Sequence, residues 1–163
     1  MPVKYGRRRH SGTETLHPLY KMGLPLVLTA SALPQVALNT IDVIHVEIGG
    51  FRTDKGQVLC TLFSSATDFP KHGEKALAHA HPGIAQREAV CEFSGIAPGR
   101  YAVSVFHDEN SNGKMDTNFI GMPKEGVGAS NDAKGRFGPP GFDAAAFQYT
   151  GGKLELKIKL AYL

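Results

Sequence analysis

The stretch Lys153-Leu154-Glu155-Leu156-Lys157-Ile158-Lys159-Leu160 puts an aliphatic side chain at every second position and a charge at each position between. A period of two belongs to a strand that buries one face and wets the other. Working back from it, Tyr101, Val103 and Val105 repeat the pattern, as do Ala89, Cys91 and Phe93 with Glu88 and Glu92 opposite. Val58, Cys60 and Leu62 form a further set, and Ile44, Val46 and Ile48 enclose His45 and Glu47. Gly49-Gly50, Asp54-Lys55-Gly56 and Pro98-Gly99 punctuate these runs as turns. No strand–helix–strand alternation occurs. The pattern predicts an all-β chain, a single antiparallel β-sandwich over residues 38–163.

Two segments interrupt the alternation. Residues 69–81, Phe-Pro-Lys-His-Gly-Glu-Lys-Ala-Leu-Ala-His-Ala-His, predict a short helix with Pro70 near its start, although Gly73 weakens it. Residues 107–148 hold seven glycines between Gly113 and Gly141 and read as one long Gly-rich loop. A loop of that length is usually functional, or is held by something other than a core.

A chain of 163 residues suits one ordinary domain with a real core. Its 18 Lys and Arg against 15 Asp and Glu are unevenly placed. Residues 1–37 carry Lys4, Arg7, Arg8, Arg9 and Lys21 against Glu14, a net of +4, and the remainder nets −1. A basic nucleic-acid face is thereby excluded. The basic lead runs into an apolar stretch from Met22 to Ala37 with small residues at Ala30-Ser31-Ala32, the layout of a secretory signal peptide. Pro25 and Pro34 interrupt that stretch, and it is shorter than the roughly 18–20 residues of a membrane span. Residues 1–37 are therefore expected to be removed, with cleavage between Ala32 and Ala37. The mature chain is expected to lack a transmembrane helix and to be periplasmic or secreted, with a ligand or an envelope protein as its partner. Cys60 and Cys91 both fall on inward positions, and an oxidising compartment favours a disulfide between them; burial as two free thiols is the alternative.

The chemistry concentrates after the Tyr101 strand. Tyr101 follows a Pro-Gly turn, where its hydroxyl can bond back across the corner as tyrosine corners do. The strand then runs into Asp108-x-Asn110-x-Asn112-Gly113-x-x-Asp116, the opening of a calcium loop, with oxygen side chains at positions 1, 3, 5 and 9 and glycine at 6. Position 12 is Phe119 where an EF-hand carries a bidentate Glu, and a strand precedes the loop rather than a helix. Glu125 supplies the missing carboxylate if its segment folds back. The competing reading is metal-free: Asp and Asn build Asx turns in tight connections. Calcium is the one cofactor in question.

With this loop, the ordered segments Val105–Asn118, Ile120–Asn131 and Phe137-Gly-Pro-Pro-Gly-Phe142 with Ala144–Phe147 resemble the bacterial domain-of-unknown-function family 2141 over about residues 40–163. The resemblance implies an exported sandwich similar to transthyretin-like and carboxypeptidase-regulatory-like modules, and it implies no activity. Ala129 stands where that family is expected to carry a bulkier residue.

Other residues invite weaker readings. His107 beside Asp108 and Glu109 suggests an acid–base group, and a hydrolase or transferase using His107, Asp108 or Glu125 is the alternative to a binding or structural module. His79 and His81 would not share a face of a helix, which argues against a metal pair there. Ser104 and Ser130 lack a nucleophile-elbow context. Phe137, Phe142 and Phe147 with Pro139-Pro140 can line a groove or lid the core.

Overall fold

The computed structural model describes residues 41–136 and 138–163; the expected signal peptide, its cleavage site and Phe137 lie outside them. Among the described residues eight strands form: β1 (Val43–Gly49), β2 (Gln57–Phe63), β3 (Ala78–Ala80), β4 (Glu88–Ser94), β5 (Gly99–Asp108), β6 (Gly126–Ala129), β7 (Phe147–Tyr149) and β8 (Lys153–Lys159). One sheet runs β4-β1-β8, the other β3-β2-β5-β6, and β7 pairs with the start of β5. The all-β expectation holds. One pair departs from the antiparallel rule, because β1 and β8 run parallel, with Val46 opposite Leu156. Among the described residues no helix is long and apolar enough to cross a membrane.

The alternating side chains meet between the sheets. Ile44, Val46, Ile48, Cys91 and Ile158 from one sheet close on Val58, Cys60, Leu62, Val103 and Val105 from the other. Cys60 on β2 and Cys91 on β4 are joined in a disulfide that links the two sheets, with their Cα atoms 6.5 Å apart, inside the roughly 4.4–6.8 Å that a bridge allows. The tyrosine corner forms: the Tyr101 hydroxyl donates to Ala97 O at 2.8 Å. Gly99 is required there, since a Cβ would lie 2.8 Å from the Tyr101 hydroxyl.

The helix expected over 69–81 does not form. The segment holds only a 3-10 turn at Gly73–Lys75 and then β3, which pairs with β2. Gly73 and the edge of β2, which offers Leu62 O to Leu77 N at 2.8 Å, win over local helix propensity. The long loop is likewise subdivided. It contains β6, a 3-10 turn at Ser130–Asp132, the single-turn helix α1 (Phe142–Ala145) and β7. What organises it is a second, smaller core on the outer face of the β2–β5 sheet, made of Phe63, Phe69, Ala102, Ala129, Phe142 and Ala145. Phe69 stacks edge-on against both Phe63 and Phe142, with centroids 5.4 and 5.9 Å away, and the small Ala129 packs among these rings. Buried Ser130 fastens this layer, accepting from Val103 N at 3.0 Å and donating to Ala145 O at 2.5 Å. Phe142 is therefore core and not groove, and Phe147 packs beside Tyr101.

Candidate functional site

β5 delivers His107 and Asp108 to one end of the sandwich, where the chain leaves the sheet. Asp108 is fully buried, and its carboxylate organises the turn that follows. Oδ1 accepts from Asn112 N at 3.1 Å, and Oδ2 accepts from Gly113 N and from the Gln57 amide, each at 2.7 Å. Burial opposes the charged form, but the Gln57 amide and the N–H groups of Gly113, Asn112 and Ser111 outweigh it and hold the carboxyl below its ordinary range. Gly113 takes φ +74°, the left-handed turn that its position demands.

The remaining oxygen-bearing residues gather around the same turn. The amide groups of Asn110 and Asn112 donate to the two oxygens of Asp116, at 2.7 and 3.3 Å. Their own Oδ1 atoms accept from the backbone two residues on, at Asn112 N and Lys114 N, which makes both of them Asx turns. Glu125 does fold back. Its carboxylate is buried and bridges two strands of the loop, accepting from Glu109 N and from Asp116 N, both at 2.9 Å. Asp108, Asn110, Asn112, Asp116 and Glu125 thus lie in one cluster, satisfied internally by N–H donors. Among the described residues no group of three or more His, Cys, Asp or Glu is placed to hold a metal ion.

His107 is fully buried between the sheets, edge-on to Phe51. Lys55 O can only accept, so Nε2 donates to it at 2.8 Å, and in that tautomer Nδ1 accepts from the Tyr162 hydroxyl at 2.7 Å. Glu109 is clamped by both arms of Arg52, with Nε donating to Oε1 at 2.7 Å and Nη2 to Oε2. The Arg52 hydrogen bond holds the Glu109 carboxyl below its ordinary range. Arg52 also donates to Lys124 O at 3.1 Å and lies over the Tyr162 ring.

Arg52, Gln57 and Tyr162 were not legible as site residues, because each reaches this end from a distant part of the chain with no local motif. Asn118, whose Oδ1 accepts from Ile120 N and Met122 N, was also missed, although an Asn followed by Gly121 and Pro123 is a local turn signal that could have found it. His79 is on strand β3 and His81 follows directly after it in extended chain, not on a helix, and their rings stack with centroids 6.5 Å apart. Ser130 is occupied in packing, as described above.

Residues 46–157 match the family described as an uncharacterized protein conserved in bacteria (DUF2141), and the chain belongs to that family. No curated protein and no solved structure matches it.

Proposed function

We propose that the chain is an exported β-sandwich module, periplasmic or secreted, that works by binding and not by catalysis, with the β5–β6 loop as its working end. The basic and apolar leader supports export. Against catalysis stand three buried groups: His107, Asp108 and Glu125 are at most 3% exposed, and each has its polar atoms engaged within the fold. A general base must reach a substrate proton, and these do not face one. The architecture suits the transthyretin-like and carboxypeptidase-regulatory-like comparison that the family resemblance raised.

Within that reading the Asp108–Asp116 loop is a low-affinity calcium site. The observation that supports it is the gathering of both carboxamides on Asp116 beside the left-handed Gly113, in the turn that the Asp108 carboxylate organises. Calcium takes oxygen donors, so loading requires the Asn110 and Asn112 amides to rotate their oxygens toward the ion. With two carboxylates in the loop the dissociation constant falls at roughly 10⁻⁴–10⁻³ M. At a calcium concentration equal to that constant the fold gains about 0.4 kcal/mol. After chelator treatment, millimolar calcium should raise the melting temperature of the chain and release heat in calorimetry. Asp116→Asn should remove both effects and Glu109→Ala should keep them. An unchanged melting temperature with no heat leaves only the Asx-turn role.

A further inference from the structure

Between the Asp108–Asp116 turn and β6 the chain forms a small hairpin whose tip is apolar and wet. Phe119 is 99% exposed, Ile120 64% and Met122 41%, and Met115, just before the hairpin, is 42% exposed. The sandwich core closes without these side chains, so packing gives them no role.

Their exposure is held in place by hydrogen bonds. Thr117 and Pro123 form a bridge across the hairpin. Lys124 N donates to Asp116 O, Asn118 N to Met122 O, and Gly121 N to Asn118 O, each at 2.9 Å. The Asn118 side chain caps the tip, its Oδ1 accepting from Ile120 N and Met122 N at 3.0 Å. The base is anchored from the body of the domain by Glu125 on Asp116 N and Arg52 on Lys124 O. A preorganised tip has little ordering entropy left to lose when its side chains leave water.

We infer that this tip inserts into the interfacial layer of a bilayer bearing anionic phospholipid. Three observations point to lipid and away from a protein. The apolar side chains sit on a convex turn, a shape that acyl chains and headgroups can envelop but that a protein matches only with a dedicated pocket. They offer on the order of 400 Å² between them, about half of what each partner buries in a standard protein interface. Charge is complementary as well. Lys114 and Lys124 flank the tip and are exposed, and neither has a carboxylate partner among the described residues. Asp116 between them keeps its charge, because Asn110 and Asn112 are neutral partners, so residues 114–124 carry a net of +1. Each lysine near an anionic surface strengthens association by about fivefold. The inference rests on the binding-module reading only in placing function at this loop, and it needs no calcium.

The chain contains no tryptophan, so Phe119→Trp in the full 163-residue chain provides a single indole at the tip. Excited selectively, in chelator, it is titrated with vesicles of mixed phosphatidylglycerol and phosphatidylcholine and with phosphatidylcholine alone. Running the titration in chelator keeps a failed calcium site from deciding the outcome. The expected result is a blue-shifted emission, quenched by brominated acyl chains, with phosphatidylglycerol vesicles. Lys114→Gln with Lys124→Gln in that background should weaken partitioning by about 25-fold, and Ile120→Ser should weaken it further. An unshifted emission while the chain sediments with vesicles would show attachment through another segment and overturn the inference. So would a shift that needs no lipid and grows with protein concentration, which would mean a second copy covers the tip. Equal partitioning onto both vesicle types, untouched by the glutamine changes, would overturn the anionic-lipid assignment.

Discussion

The inter-sheet core and the β5–β6 loop are held together by opposite means. The core is apolar, periodic and non-directional: Ile44, Val46, Leu62 and Val103 exclude water, and a disulfide ties one sheet to the other. The loop buries almost no hydrocarbon. It is shaped by two buried carboxylates, Asp108 and Glu125, each gathering N–H groups from positions apart in the chain. A core side chain can be exchanged for another of similar volume at modest cost, whereas a buried donor left without an acceptor forfeits its full desolvation energy. The loop is therefore the region with less chemical redundancy, although it is the more exposed.

The largest expected effect lies on the core side. Cys60→Ala with Cys91→Ala removes a bridge across 31 positions and should cost about 3 kcal/mol, read as a lower urea midpoint. The loop geometry should survive it, with amide exchange at Asn112 and Gly113 keeping its order relative to the strands. Collapse of the loop in that variant would break the contrast, since it would mean that the two regions are one unit.

Asp108→Ala comes next, at about 2–3 kcal/mol, because it strands the Gln57 amide and the N–H groups of Asn112 and Gly113. Its signature is local: exchange should accelerate in the loop well before the core strands. Uniform acceleration throughout the domain would place Asp108 in the core's cooperative unit.

Acid separates the regions without mutation. Asp108 and Glu109 both titrate below their ordinary values of 3.8 and 4.5 in the fold. For a group whose folded value is depressed, the stabilisation is complete above the unfolded value and is lost as pH falls through the folded one. Denaturation midpoints should therefore hold steady above about pH 5 and decline below about pH 4.5. Asp108→Asn should flatten that decline, and the cysteine double variant should leave it intact. An unchanged slope in Asp108→Asn would show that other carboxylates govern the acid limb.

The smallest effect belongs to the start of β5, the end of that strand away from the loop. Tyr101→Phe keeps the packing in the core and deletes only the hydrogen bond to Ala97 O, for about 1 kcal/mol in equilibrium unfolding. A cost near that of Asp108→Ala would mean that one neutral hydrogen bond at the start of β5 counts for as much as the buried loop carboxylate at its end, and the contrast between the regions would fail.

Much of this was readable from residue order, for identifiable reasons. The strand at Lys153–Lys159 and its partners announce themselves because burial of one face imposes a period of two on a contiguous segment. The inward positions of Cys60 and Cys91 follow from the same period. The Asp108–Asp116 spacing was readable because a turn's ligands and caps come from neighbouring residues. Residues 69–81 were misread as helical because the edge of β2 that recruits Ala78–Ala80 lies elsewhere in the chain.

Residue order by itself determined the all-β class, the facing of the five long strands, the inward positions of the two cysteines, the tyrosine corner and the oxygen-rich turn, since each follows from the pattern of one short stretch at a time. Tertiary structure alone decided the parallel pairing of β1 with β8, the second core beneath Phe142, and the reach of Gln57, Arg52 and Tyr162 to the loop. It also decided that His107 points into the fold and that Phe119 points out of it. The physical reason is common to all of these. A period or a turn is a local constraint on φ, ψ and side-chain direction, whereas the partner of a buried donor and the cover over an apolar face are chosen by which distant segments the sheets bring together.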